Sequence, residues 1–442
     1  MPTGGGSRGG GAVGGSRGVN PNPGNPRSGG GGLPRSGGST VRGAGGSTPY
    51  TSRPGDQPKP LSGGRTEFHN ANGQTVTTNA RGGVQKIEVR RGIAGTIAIN
   101  RGARGEKMVV TGGRGARVVS YGPHRGFVER TIAGRPGYIS RTNVVGGRSY
   151  ARVYREYSYH GVPYYRYVPA AYYGPQFYAW AVTPWGAPMR YAWFGLATPA
   201  PWFGVYAGYF TPYPSYASPD LWLTDYVLSE NLRLAYESQQ AGNDGQAPLP
   251  EPNGPSAAAL SPEMKALIAD EVRQQLAAEK AASLQPSSLS PQQPAAGGDQ
   301  LPPALNQRFF VVASSLDVPA DAGQTCSLTP GDVIQRKGKD VVFGGVAVEV
   351  VASKPGDCVA DSPATVQLAD LQEMHNRFRE QLDSGLKMLA ENQAKGLPNG
   401  PAAAGRPVAE GTADPVADAG AQLAAQETDA AKLEAQVRQG VN

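Results

Sequence analysis

Residue types able to carry out chemistry are scarce in this chain of 442 residues. It has four histidines, His69, His124, His160 and His375, and none lies in an HExxH motif or in a cluster with metal-ligand spacing. There is no nucleophile elbow, no phosphate-cradling GxxxxGK[ST] loop and no dinucleotide fingerprint. His375 falls on the polar side of a predicted helix, where solvent would meet it. Asp332 and Asp357 stand in two Pro-Gly-Asp turns and read as turn formers rather than paired acids. The expectation is a protein with no catalytic site, metal or cofactor.

Cysteine chemistry is more informative. The only two cysteines, Cys326 and Cys358, flank the Pro-Gly-Asp turns of one short segment. A disulfide between them is the expected arrangement, with two buried thiols as the alternative. No histidine lies between them and CxxC spacing is absent, which argues against zinc. A bridge would place the protein in an oxidising compartment.

Binding chemistry centres on aromatic rings and arginines. The stretch FYAWAVTPWGAPMRYAWFGLATPAPWFGVYAGYF, residues 177–210, holds Trp180, Trp185, Trp193 and Trp202 with a single charge, Arg190. Recurrent prolines exclude a continuous membrane-spanning helix, and the irregular aromatic spacing does not fit the alternation of a membrane barrel. The stretch is expected to pack on itself. The alternative is a platform on which these tryptophans, with Arg190 and the nearby Arg152, Arg155 and Arg166, stack against sugars or bases. Between Arg65 and Arg166 there are 18 Lys and Arg against 5 Asp and Glu. That excess is either a solvated face that protects strand edges or a footprint for an anionic partner.

The elements that position these residues follow from periodicity. Residues 1–64 are rich in glycine and arginine and bury too little to offset chain entropy, so a disordered tail is expected. Residues 65–240 begin with short β-prone runs, TVTTN, VQKIEV, GTIAI, KMVV, ARVVSY, FVERTI and GYISRTNVV among them, separated by glycine-rich turns. They predict a basic antiparallel β-meander, with a β-solenoid as the alternative. Val84, Ile87, Val89, Ile97 and Ile99 face its buried side if a bulge corrects their register. The aromatic, proline-rich module follows, and then a closing helix capped at Ser218-Pro219-Asp220, with Leu221, Leu228, Leu232 and Ala235 on one stripe.

Residues 241–304 form a linker interrupted by a helix at 261–281, whose apolar stripe is expected to self-associate or to dock on one of the domains. Residues 305–395 predict a small α+β domain: an SH3-like β-barrel followed by a packing helix, with the disulfide as its staple. Residues 396–442 are an alanine-rich tail, at most a marginal helix. The fold class is therefore mainly β with α, including long disordered segments.

The succession YYGPQFYAWAVTPWGAP, YFTPYPSYASPDLWLTDYVLSENLRLAY, LSPEMKALIADEVRQQLA and CSLTPGDVIQR with SKPGDC resembles a group of Gly/Tyr/Pro-rich bacterial proteins that look exported. Their C-terminal domain is SH3-like and the group has no assigned activity. The resemblance covers roughly residues 150–390, implies an envelope location and supplies no site residues. No export signal is read at the start of the chain, so an extracytoplasmic location assumes that a signal is missing from the sequence.

The function expected is that of a non-enzymatic exported or envelope protein that contacts an anionic polymer, a glycan or a membrane surface. The alternative is a cytosolic nucleic-acid-binding protein using the glycine/arginine tail and the basic aromatic domain. If Cys326 and Cys358 are joined, thiol trapping in producing cells labels neither. Reduction should then cost about 3 to 4 kcal/mol in urea unfolding, as expected for a loop of this length, and two readily alkylated thiols would contradict the bridge.

Overall fold

The computed structural model describes residues 50–243, 258–285, 299–392 and 400–439, with short breaks at 53, 62–63, 71–72, 93–94, 103–104, 114, 123, 192–199, 321–324 and 404. All of these belong to one compact unit, Gly43–Asn442. The expected disordered tail up to residue 49 and Trp193 lie outside the described residues.

The meander is an antiparallel sheet of eleven strands in sequence order. Its first half comprises β1 (Gln57–Pro60), β2 (Thr66–His69), β3 (Gln74–Thr78), β4 (Val84–Arg90), β5 (Thr96–Arg101) and β6 (Lys107–Gly113). Its second half comprises β7 (Ala116–Gly122), β8 (Arg125–Thr131), β9 (Tyr138–Val145), β10 (Arg148–Tyr159) and β11 (Val162–Val168). The sheet starts earlier than expected, because Gln57–Pro60 pairs as its edge strand. The bulge required by the sequence lies in β4: Thr77 pairs with Lys86 and Thr78 with Val84, leaving Gln85 as the extra residue. Val84, Ile87, Ile97 and Ile99 are buried as expected, and Val89 is half-buried against them.

Both faces of the sheet are covered, and by elements from far along the chain. One face carries α6 (Ala419–Gln439), whose Ala430, Leu433 and Val437 pack on Val76, Ile87, Ile97, Ile99 and Val109. Farther along the helix, Ala419 and Leu423 meet Val128 and Val144. The close approach depends on Gly126, where a Cβ would fall 2.8 Å from Leu423 Cδ2 and 2.2 Å from the Val119 carbonyl oxygen. One face of α6, in the alanine-rich tail, is thus part of the core. The opposite face receives α3 (Pro219–Gly242), whose Leu234 packs on Val119, Tyr121 and Phe127, and α5 (Leu368–Asn392), which lies along β11.

The aromatic module folds around α3. Short helices α1 (Pro175–Trp180) and α2 (Pro201–Tyr206) bring Phe177, Trp185, Trp202, Tyr206 and Phe210 into one cluster with Trp222, Leu228 and Leu232 of α3. One apolar stripe was expected on α3, but the helix is buried on nearly all sides, Thr224, Asp225 and Asn231 included. Pro219 opens the helix as expected, while the Ser218 hydroxyl makes no capping bond.

The expected linker helix is α4 (Pro262–Ser283), and the Ser261 hydroxyl accepts from the Met264 N–H at 3.2 Å. Its stripe is not available for self-association or a coiled coil, since Ile268, Val272 and Leu276 are buried in the α3 cluster. Lys265 fixes the docking through a buried ion pair with Asp225 at 2.7 Å.

The C-terminal segment forms a four-stranded antiparallel sheet in the order β13 (Phe309–Val311), β16 (Val333–Val342), β17 (Gly345–Ala352), β18 (Pro363–Gln367). A separate ribbon pairs β14 (Leu316–Pro319) with β15 (Thr325–Leu328), and an Ala320 to Ala364 bridge ties it to β18. These strands and α5 match the expected α+β composition, but among the described residues they do not close into the expected barrel. Cys326 and Cys358 are bonded, S–S 2.05 Å. A last pair, β12 (Ala171–Tyr172) with β19 (Arg406–Pro407), ties the tail to the end of the meander.

If α6 is core, Leu423→Ala should destabilise the chain by about 2 to 4 kcal/mol in urea unfolding, the usual cost of a buried leucine. A value near zero would return the tail to the surface.

Candidate functional site

The arginines of the meander alternate between its two faces, and the helix on each face supplies acids to meet them. Toward α6, Arg101 reaches Glu434 at 2.7 Å, Lys107 reaches Glu427 at 3.0 Å and Arg91 reaches Asp429 at 3.0 Å. Toward α3, Arg125 reaches Glu237 at 3.0 Å. Toward α5, Arg141 lies between Glu129, at 2.7 Å, and Glu373. Arg152 pairs with Asp383 at 3.2 Å and with the Ser384 hydroxyl. Burial opposes the charge of Arg141, but Glu373, Tyr154 and Glu129 more than offset it and hold its pKa well above the ordinary value. Much of the basic excess read from the sequence is therefore met inside the chain.

The last three strands differ. Arg152 and Arg155 are three residues apart on β10, so they point to opposite faces, and only Arg152 joins the acids of α5. Arg155 is opposite Tyr138 on β9 and Arg166 on β11. Like charges directly opposite destabilise a sheet, and here tyrosine rings lie beside them. The Arg155 guanidinium is 5.3 Å from the Tyr138 ring and 5.4 Å from the Tyr157 ring. Arg166 sits 5.2 Å from that same Tyr157 ring, and Arg135 sits 5.5 Å from Tyr138. The outcome is a ladder in which Arg135, Tyr138, Arg155, Tyr157 and Arg166 alternate across one face. Tyr164 stacks on Tyr157 at 5.8 Å, and burial pushes its hydroxyl up to about 12. Among the described residues Arg166 forms no ion pair, and Arg155 and Arg166 are both half-buried.

The sequence-derived candidates thus separate. Arg155 and Arg166 come together in the ladder, and Arg152 is withdrawn to the other face. Trp185 and Trp202 are core, Trp180 packs half-buried against them, and Arg190 is exposed. Among the described residues of the aromatic stretch, Trp180, Trp185 and Trp202 pack on the chain's own core. The tyrosines of the ladder were visible in YARVYREYSYH and VPYYRYV, where strand alternation alone would have put Arg155, Tyr157, Tyr164 and Arg166 on one face.

Two concave regions elsewhere have committed polar groups. A cavity of about 640 Å3 beside Lys107, Arg125, Glu237 and Glu427 is lined by the ion pairs just described. In a cleft of about 590 Å3 between α4 and β16, Glu271 accepts from the Arg308 and Phe309 N–H groups. Among the described residues no group of His, Cys, Asp and Glu is arranged to hold a metal.

Comparison with protein-family models, curated proteins and solved structures returns no match.

His375 is not solvated as expected. It is buried in α5 with Nδ1 2.7 Å from Gln307 Oε1. Burial, with Arg379 and Arg166 nearby, holds its pKa well below the ordinary value, so the folded imidazole stays neutral. The unfolded chain takes up that proton near pH 6.5. Stability from this group is therefore full above about pH 6.5 and falls below it at about 1.4 kcal/mol per pH unit. In urea unfolding, the advantage of the wild type over His375→Gln should shrink between pH 7.5 and pH 5. Parallel pH profiles would show that His375 is not held neutral.

Proposed function

We propose that the protein is a non-enzymatic, extracytoplasmic binding protein whose Arg-Tyr ladder takes an extended anionic polymer of the cell envelope. The observation that carries this reading is the ladder itself. Arg155 and Arg166 stand directly opposite each other, both half-buried beside the Tyr157 ring, so that two guanidinium groups converge on one stretch of the sheet. Guanidinium groups pair with carboxylate, sulfate or phosphate through planar forks, and the buried Tyr157 ring lies beside both of them. Across three strands such a row extends about 10 Å, enough to meet more than one unit of a polymer. The disulfide is compatible with an oxidising compartment, and among the described residues no helix is long and apolar enough to cross a membrane.

The test is fluorescence anisotropy with labelled heparin as the anionic glycan probe and a single-stranded oligonucleotide as comparator, at graded salt. Heparin should bind more tightly, weaken as salt rises, and lose at least tenfold in affinity in Arg155→Ala/Arg166→Ala. Tighter binding to the oligonucleotide would favour nucleic acid as the partner. Absence of binding to heparin, or an unchanged affinity in the double variant, would overturn the reading.

A further inference from the structure

The two Pro-Gly-Asp turns bring three ionisable side chains together in the interior, a convergence that the turn reading of Asp332 and Asp357 missed. The side chains of Lys354, Asp332 and Asp357 are all fully inaccessible to solvent. Lys354 Nζ contacts Asp332 Oδ1 and lies 3.3 Å from Asp357 Oδ2 and 3.3 Å from the Thr329 carbonyl oxygen. Asp332 also accepts from two backbone N–H groups, Thr329 at 2.8 Å and Lys354 at 3.1 Å. Asp357 accepts from the Thr329 hydroxyl at 2.6 Å. The Tyr209 ring lies 5.5 Å from Nζ, and its hydroxyl donates to the Gly331 carbonyl at 2.8 Å.

With all three groups ionised this interior would carry an uncompensated negative charge, which is costly. Burial first, and the neighbouring Asp332 second, raise the pKa of Asp357 well above the ordinary value, which favours its protonated form. The site then contains an amine, a carboxyl group in contact with it and a second carboxyl group able to pass a proton, all away from water.

We propose that Lys354 and Asp332 condense into an intramolecular isopeptide bond, with Asp357 as the proton-transfer group. Proton transfer from the ammonium to the Asp332 carboxylate leaves a neutral amine and a neutral acid. Nζ adds to Cγ of Asp332; Oδ2, the oxygen that gains charge, is met by the Thr329 N–H, while Oδ1, which contacts Nζ and accepts from the Lys354 N–H, becomes the departing hydroxyl. Asp357 gives its proton to the departing hydroxyl and recovers one from the nitrogen. A C–N bond forms, a C–O bond breaks and one water leaves, with no oxidant or reductant needed. The product removes two buried charges and joins the start of β16 covalently to the segment after β17, next to the Cys326–Cys358 disulfide.

The molecule contains its own control. Lys265 and Asp225 form a buried pair at 2.7 Å, but among the described residues no second carboxylate contacts Lys265. The same lysine chemistry lacks the proton-transfer group there.

The test is peptide mapping of the full chain after complete reduction and alkylation, which removes the disulfide from the readout. Trypsin spares the Lys354-Pro355 bond, so Asp332 falls in peptide 309–336 and Lys354 in peptide 340–377. The wild type should yield these two joined, short of their summed mass by one water, while the peptides of Lys265 and Asp225 stay separate. Asp332→Ala and Asp357→Ala should each release them unlinked, and the second variant keeps both reacting partners. Separate wild-type peptides of full mass would reduce the site to a buried ion pair and overturn the proposal, whether or not the variants fold. Linkage that persists in Asp357→Ala, or that also joins Lys265 to Asp225, would remove the role given to the second acid.

Discussion

An arginine-rich sheet can be buried on both faces only if carboxylates arrive on both. In this chain the carboxylates come from helices far along the sequence, Glu427 and Glu434 of α6 on one side and Glu237, Glu373 and Asp383 of α3 and α5 on the other. The apolar contacts follow the same layout, with Leu423 and Leu433 on one face and Leu234 on the other. Taking such charges out of water is costly unless each is paired and hydrogen-bonded. The charge polarity along the chain, basic first and acidic later, is resolved in part within the molecule. It is not a simple measure of affinity for an external polyanion. On β10 and β11, Arg155 and Arg166 stand directly opposite each other beside the Tyr157 ring.

How much of this was legible in the residues depends on the range of the interactions. Strands such as VQKIEV and GTIAI, the bulge at Gln85 and the start of α3 at Pro219 follow from local alternation, turn glycines and proline geometry. The disulfide was legible because only one pairing exists. The role of α6 was not. An alanine-rich helix has a weak apolar stripe, and its tight seat on the sheet depends on Gly126, hundreds of residues earlier. The same limit applies to α3, whose burial on nearly all sides reflects what surrounds it rather than its own periodicity.

The site was legible in part. Arg155 and Arg166 could be picked from local composition, but Arg152 could be excluded only by applying strand parity and knowing that α5 covers the opposite face. The tryptophans drew attention because they are rare and clustered, and a domain with so few aliphatic side chains needs those rings for its core. The meeting of Asp332, Lys354 and Asp357 depends on two turns that are separate in sequence and superposed in space, which no local pattern encodes.

The central claim is that the meander and the acidic helices form one cooperative unit held by paired charges and shared core. The most direct measurement is native-state hydrogen exchange of the full chain at increasing sub-denaturing urea. The account predicts that amides of β4 to β10, α3, α5 and α6 converge on one opening free energy equal to that of global unfolding. If α6 and the meander opened at much lower free energy than α3 and α5, the helices would be separate appendages and the account would be contradicted.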